Sequence, residues 1–258
     1  MQDFLLFFAV GILAQLIDGA LGMAYGVISS TVLLSFGVSP AAASASVHAA
    51  ELFTTAASGT AHVYNRNIDW KLFWRLVPFG IVGGVLGTYV LTSFDGAAMR
   101  PFVAAYLTCI GVYLIIRSFT HRPSKPVRAA VVPPLAAAGG FLDAAGGGGW
   151  GPIVTTGLLG AGGQPRYVIG TVNTAEFLVT LSVSLAFLFS LLTGHWEEAD
   201  DLSTHALAVA GLIAGGVIAA PFAGYIVRIL STDTLLRLVG SLICILGITQ
   251  VWGILSGS

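Results

Sequence analysis

The sequence predicts an all-α polytopic membrane protein built from two inverted repeats of about five hydrophobic segments each. Composition, the spacing of the apolar segments and an internal duplication lead to this prediction. The chain has 258 residues, of which 56% are hydrophobic and only 9% are charged, whereas a soluble domain carries about 25% charged residues. This number of charged residues is too small to cover a water-facing surface. We therefore expect a bilayer-embedded chain without an extramembrane domain.

Charge and cysteine content exclude several classes of protein. A formal net charge of -1 without a basic run argues against a nucleic-acid partner. Cys109 and Cys244 both lie in apolar runs, which gives neither a disulfide framework nor a cluster of metal ligands. We therefore expect no cofactor and no metal. The first residues lack the positive region of a signal peptide, so the first segment should be retained.

Ten apolar segments follow one another along the chain. They span residues 4–17, 20–36, 40–64, 72–94, 99–119, 131–142, 147–160, 165–193, 203–227 and 234–256. The first two of each half are short, because a helix of about 14 residues is only about 21 Å long against about 30 Å of hydrocarbon. We predict that these are broken or re-entrant. A proline-containing linker at 120–130 separates membrane repeat 1 (1–119) from membrane repeat 2 (131–258).

The two halves repeat each other in one register, which predicts an internal duplication. A single shift of the numbering places Asp18 on Asp143, Gly22 on Gly147, Tyr25 on Trp150, Gly26 on Gly151, Pro40 on Pro165, Glu51 on Glu176 and Thr55 on Thr180.

Loop charges predict that the repeats are inverted, since Lys and Arg beside the spans stay in the cytoplasm. Basic residues are Arg66, Lys71 and Arg75 after the third segment, Arg117, Arg122, Lys125 and Arg128 around the linker, and Arg228 and Arg237 around the start of the last segment. The counterpart of the first loop carries Glu197, Glu198, Asp200 and Asp201. Equivalent loops therefore face opposite sides, and both termini should be outside. The alternative is eight crossings in two parallel fours, with the first two segments of each half forming one broken span.

Four acids lie inside apolar sequence: Asp18, Glu51, Asp143 and Glu176. An ionised carboxylate costs at least ~2.5 kcal/mol at the centre of a membrane helix, so these acids predict a polar centre between the repeats. Asp18 and Asp143 can instead cap the short helices that follow them. Glu51 and Glu176 lie in mid-segment, where capping is not available, so a functional or helix-bridging role is expected.

Polar residues share one helical face with each of these glutamates. The face comprises Ser44, His48, Glu51 and Thr55 in the first half and Arg166, Asn173, Glu176 and Thr180 in the second. A Glu–His pair can exchange a proton near neutral pH. We therefore predict that Glu51 with His48 is a proton-coupling pair, and that Glu176 with Asn173 holds structure or a bound ligand.

Two glycine-rich turns complete the candidate site. Glycine lets backbone approach a ligand, and a helix that begins at such a turn directs free N–H groups at an anion. We predict that the two turns face one another near the bilayer midplane. The predicted substrate-binding residues are Gly19, Gly22, Tyr25, Gly26, Ser44, Gly147, Trp150, Gly151, Arg166 and Asn173.

The order of these motifs resembles the TauE/SafE sulfite exporter family, also called the TSUP family. The motifs are an Asp-Gly-x-x-Gly-x-x-x-Gly turn from Asp18, a Ser-Pro-x-x-Ala-x-Ala helix start at Ser39, an Asn-Ile-Asp-Trp loop at 67–70 and a Gly-Gly-x-x-Gly segment at 83–87. The second half departs from the pattern, because Ala144 replaces the turn glycine. The resemblance implies a multi-pass secondary transporter of the inner membrane for small sulfur-containing anions such as sulfite or organosulfonates, coupled to ions.

The predicted function is thus alternating-access transport of a small anion with H⁺ or Na⁺ at a midplane site. An anion channel is one alternative, distinguishable because its flux does not saturate. An intramembrane enzyme is the other, and the sequence has no HExxH or GxSxG motif to favour it. The oligomeric state stays open, a homodimer included.

Overall fold

The computed structural model describes residues 2–120, 128–196, 206–222 and 231–256. Every regular element in these ranges is helical, which confirms the predicted all-α fold. The helices are α1 (Gln2–Leu21), α2 (Tyr25–Ser35), α3 (Pro40–Tyr64), α4 (Trp70–Thr92), α5 (Gly96–Arg117), α6 (Val132–Gly146), α7 (Thr156–Gly160), α8 (Pro165–Leu192), α9 (Ala206–Ala219) and α10 (Thr232–Ser256), with short 3₁₀ helices at Ala129–Val131 and Ala220–Phe222 and a π-helical turn at Trp150–Thr155.

Local sequence explains where three helices of the first half, α3, α4 and α5, begin. Ser39 lies one residue before Pro40, the proline that opens α3. Its side chain accepts a hydrogen bond from the backbone N–H of Ala42 at 3.4 Å. Asp69 and Asp95 cap α4 and α5 in the same way, each accepting from two backbone N–H groups. Such caps satisfy N–H groups that have no partner within the helix.

Within the described ranges, six helices are long and apolar enough to cross a membrane. They are Phe4–Leu21, Trp70–Thr92, Gly96–Arg117, Ala129–Gly146, Pro165–Leu192 and Asp233–Gly253. Helix α3 has sufficient length but carries the polar face described above. Large hydrophobic side chains, including Leu13, Phe102 and Trp252, lie exposed on the outside of the molecule. An apolar outer surface of this kind is suited to contact with lipid.

The first two segments of each half form helical hairpins. In the first, the Phe7 ring of α1 lies 5.7 Å from the Phe36 ring that follows α2, so the two helices run side by side in opposite directions. We call α1–α2 hairpin 1. In hairpin 2, which is α6, the π-helical turn and α7, Gly139 contacts Val154 and Gly157 contacts Leu135. Neither pair forms the broken span of the eight-crossing alternative.

The predicted ends of these segments are wrong by several residues. The first break lies at residues 22–24 rather than between 17 and 20, and the second lies at 147–149 rather than between 142 and 147. Gly22 and Gly147 have φ angles of 66° and 70°, in the left-handed region that favours glycine and ends helices. Asp18 and Asp143 therefore lie in the last turns of α1 and α6.

In two cases a helix of the first half packs against the equivalent helix of the second half, and the two helices run in opposite directions. Along α3 and α8, the His48 ring lies 6.2 Å from the Phe187 ring, while Gly59 contacts Thr174 nearer the other end. These contacts show that α3 and α8 are antiparallel.

The same order holds for the last helix of each half. Along α5 and α10, Gly247 contacts Thr108 and Gly240 contacts Ile115. The two helices therefore also run in opposite directions.

Each hairpin packs against a helix of the other half. Gly211 and Gly215 of α9 contact Phe4 and Phe8 of α1, and Gly83 of α4 contacts Ala137 of α6. Glycine is needed at these positions because a Cβ atom would meet the backbone of the neighbouring helix.

Several residues used for the orientation argument lie outside the described ranges. They are Arg122, Lys125, Glu197, Glu198, Asp200, Asp201 and Arg228. The sidedness of the loops and of both termini therefore stays a prediction.

Candidate functional site

Four buried acids converge at the centre of the helical assembly. Asp18, Glu51, Asp143 and Glu176 are each at most 6% exposed, and their carboxyl groups are close enough to interact electrostatically with one another. Glu51 lies near the middle of α3, so the cluster is about 16 Å along the helix from the start of α3. The structure thus brings together the acids that the duplicated sequence singled out.

The two aspartates cap the helical segments that follow their turns. Oδ1 of Asp143 accepts hydrogen bonds from the backbone N–H groups of Gly149 at 2.7 Å and Trp150 at 3.0 Å. Oδ1 of Asp18 accepts from the N–H of Tyr25 at 3.3 Å. The capping alternative is therefore present in both halves, and the protein's own carboxylates occupy N–H groups that the sequence assigned to an anion.

His48 joins the two halves of the protein. Its ring is fully buried, its Nδ1 lies 2.8 Å from the backbone oxygen of Ser44, and its Nε2 lies 3.3 Å from Oδ2 of Asp143. The sequence paired His48 with Glu51, whereas the contact of Nε2 is with Asp143 of hairpin 2. The side-chain ligand atoms of His48, Glu51 and Asp143 all lie within 4.8 Å of one another, so these residues could together hold a metal ion.

The tips of the two hairpins meet, as the sequence predicted. A Cβ atom at Gly26 would lie 3.0 Å from both Gly148 Cα and Glu51 Oε1. The hydroxyl of Thr155 donates to the backbone oxygen of Gly22 at 2.9 Å. The depth of this contact in the bilayer stays a prediction.

Other predicted site residues have structural partners. The hydroxyl of Tyr25 donates to Leu212 O at 2.9 Å, and the indole N–H of Trp150 donates to Val172 O at 3.2 Å. The hydroxyl of Ser44 donates to a backbone oxygen of hairpin 2, Ala144 O, at 2.6 Å. The polar atoms of these three side chains therefore fasten the hairpins to the helices around them.

Helix α8 presents polar atoms that lack a partner within the described part of the chain. Both amide atoms of Asn173 and the hydroxyl of Thr180 are buried without a hydrogen bond. Buried polar groups are nearly always hydrogen-bonded in proteins. Asn173 lies one turn before Glu176, so these atoms lie on α8 close to one of the four buried acids.

Arg166 does not belong to the centre, contrary to the prediction. It is exposed, and its guanidinium donates to Asn67 Oδ1 at 2.6 Å and to Asn65 O at 3.1 Å, beyond the end of α3. Measured along the helix axis of α3, these partners lie about 20 Å from Glu51. Gly19 lies in the last turn of α1, beside Asp18.

Sequence reasoning missed two residues that fasten the hairpin tips. The hydroxyl of Ser30 donates to Gly147 O, and that of Tyr106 donates to Gly148 O at 2.9 Å. Ser30 offers a weak signal, because it lies in the Ser-Ser-Thr run at 29–31, between the apolar residues of α2. Tyr106 lies in an ordinary apolar segment, and nothing in the sequence distinguishes it.

A helical membrane protein in which two hairpins meet beside buried charged groups has the architecture of a membrane transporter. The chain matches the family model of the sulfite exporter TauE/SafE over residues 7–249, and it belongs to that family. It is 42% identical over 250 residues to the probable membrane transporter protein YtnM of Bacillus subtilis (strain 168), covering 94% of this chain and 81% of that relative. No solved structure matches the chain.

Proposed function

We propose that this protein is a secondary transporter of a small sulfur-containing anion, sulfite or an organosulfonate, that works by alternating access. The family description names a sulfite exporter, and the relative is described as a membrane transporter. The substrate binds where the two hairpin tips meet and is exposed to each side of the membrane in turn.

The meeting of the hairpin tips beside the four buried acids carries this proposal. The antiparallel packing of α3 on α8 and of α5 on α10 supports an inverted repeat, because a two-fold axis in the membrane plane reverses equivalent helices. Rocking one repeat against the other opens the contact between the tips toward opposite sides of the membrane.

The four acids at the centre favour a coupled cation. No Lys or Arg in the described ranges is buried, so the only basic side chain placed at the four acids is His48. An anion approaching these carboxylates is repelled unless positive charge enters with it. The proposal therefore includes a co-transported cation, and H⁺ and Na⁺ are the ions to be tested.

Uptake into proteoliposomes tests the proposal. Radiolabelled sulfite and sulfoacetate are offered with an imposed pH gradient, an Na⁺ gradient or neither, and protein-free liposomes are the control. We expect saturable uptake that excess unlabelled substrate inside the vesicles accelerates, with the anion recovered chemically unchanged. Unsaturating conductance indicates a channel, and chemical conversion of the anion indicates an enzyme. Either result overturns the proposal, as does a lack of uptake for every sulfur-containing anion.

A further inference from the structure

Three side chains with metal-ligating groups converge between the two halves. His48 and Glu51 come from α3, and Asp143 comes from α6. All three are at most 3% exposed, and their ligand atoms lie within 4.8 Å of one another. This cluster contains an imidazole as well as carboxylates.

The hydrogen bonding of His48 fixes which ring nitrogen is free. Nδ1 lies 2.8 Å from Ser44 O, and a carbonyl oxygen only accepts, so Nδ1 carries a proton and donates it. In the neutral ring, Nε2 is then an acceptor, and it faces Oδ2 of Asp143, a second acceptor, at 3.3 Å. Two acceptors facing each other at this distance require a cation between them.

A metal ion satisfies this arrangement better than a proton. A proton joins two acceptors, but Glu51 contributes a third, since its buried Oε2 has no hydrogen-bond partner in the part of the chain that the structure describes. The 3.3 Å between His48 Nε2 and Asp143 Oδ2 exceeds the ~2.7–2.9 Å typical of a charge-assisted N–H···O bond. This one distance is close to the edge of about 3.3–3.4 Å of a tetrahedral site with metal–ligand bonds near 2.05 Å, while the ligand atoms of all three residues lie within 4.8 Å of one another.

Neighbouring groups hold two of these ligands in orientation. The backbone oxygen of Ser44 accepts from the other nitrogen of His48, and the backbone N–H groups of Gly149 and Trp150 hold the other oxygen of Asp143. Metal-binding histidines and carboxylates are characteristically fixed by outer partners of this kind.

We propose that His48 Nε2, Asp143 Oδ2 and the Glu51 carboxylate bind one divalent transition-metal cation, contrary to the absence of a metal expected from the sequence. Imidazole nitrogen with carboxylate oxygen suits Zn²⁺ or a similar first-row ion, whereas hard ions such as Mg²⁺ prefer oxygen alone. Two positive charges offset two of the four carboxylates. A fourth coordination position then takes the substrate anion, a role that rests on the proposed function.

Metal binding by the purified full-length protein tests the site directly. After chelator treatment, Zn²⁺ is titrated calorimetrically, and the bound metal is counted by mass spectrometry. We expect one Zn²⁺ per chain, with affinity lowered at least about 100-fold in His48→Asn and Glu51→Gln, because loss of a ligand exceeds the cost of losing an outer partner. The His48→Asn change installs the residue found at the equivalent position of the second half, Asn173.

Two controls separate specific binding from incidental binding and from misfolding. His195 bonds to Ser93 at the end of α8, so His195→Asn should bind Zn²⁺ as the unaltered protein does. Thermal unfolding without metal identifies any variant that fails to fold. Because Glu51→Gln and His48→Asn remove different ligands, one of them still tests the site if the other fails to fold. Unaltered Zn²⁺ affinity in both folded variants, or no stoichiometric Zn²⁺ in the unaltered protein, overturns the proposal.

Transport measurements keep this proposal distinct from the function proposed above. Saturable anion uptake by protein that binds no metal refutes the metal site and leaves the transporter intact. One bound Zn²⁺ without uptake of any sulfur-containing anion supports the metal site and refutes the assigned function.

Discussion

Replacing Asn173 by Leu should make the protein more stable and its substrate binding weaker. Both amide atoms of Asn173 are buried without a partner in the described structure. Such an unsatisfied group costs about 1–3 kcal/mol, and Leu has the same branched arrangement of side-chain heavy atoms without that cost. The free energy of unfolding should therefore rise by about 1–3 kcal/mol relative to the unaltered protein.

The effect on binding has the opposite sign if the partner of this amide is the substrate. A hydrogen bond to a charged group contributes about 1.5–3 kcal/mol, and about 1.4 kcal/mol corresponds to a tenfold change in affinity. The Asn173→Leu variant should thus bind sulfite or an organosulfonate roughly 10- to 100-fold more weakly. Thermal unfolding measures the first quantity, and the substrate dependence of uptake measures the second.

Thr155→Val is the matched control, because the hydroxyl of Thr155 has a partner. It donates to Gly22 O at 2.9 Å, so its removal leaves a buried carbonyl unsatisfied and should lower stability by about 1–3 kcal/mol. A destabilised Asn173→Leu variant with unchanged substrate affinity would refute the reasoning, since the amide would then have an internal structural partner.

Cysteines introduced singly at Lys71 and Asp200 in a cysteine-free background should react with impermeant reagents from opposite sides, cytoplasmic and external respectively; labelling of both from one side contradicts the inverted repeat. Gly83→Ala should lower the melting temperature, because its Cβ would collide with the backbone of Ala137 and overpacking costs about 1–3 kcal/mol. Gly59→Ala is the control, since its Cβ would lie 3.5 Å from Thr174 Cα, which is an ordinary contact. Equal melting temperatures for the two variants would exclude the close packing of α4 on α6.

The fold class was predictable because hydrophobicity and duplication are properties of the whole sequence. The ends of the short segments were not, because several glycines lie near each turn and any of them can end a helix. Only the three-dimensional contacts select Gly22 and Gly147 for the left-handed conformation. The hairpin form of the first two segments depends on contacts such as that of Phe7 with Phe36, which periodicity does not reveal.

The acids of the site were predictable because a carboxylate in apolar sequence is conspicuous. Their partners were not, since His48 and Asp143 are far apart in the chain and meet only across the two halves. Arg166 shows the other limit of pattern reasoning. Helical spacing shows that Arg166 and Asn173 point in the same direction from the helix axis, but it does not show how deeply each lies in the protein. Two turns along α8 separate the exposed guanidinium of Arg166 from the buried amide of Asn173.

Each hairpin packs against a helix of the other half, so the first hairpin can complete its packing only after the second half has been made. Helix α1 precedes α9 by most of the chain, yet the glycines against which α1 packs, Gly211 and Gly215, belong to α9. During synthesis, α1 must therefore wait in the membrane without its final neighbour until most of the chain has been inserted. An isolated first half would lack that surface altogether, so we expect α1 in such a fragment to lack the glycine surface against which Phe4 and Phe8 pack.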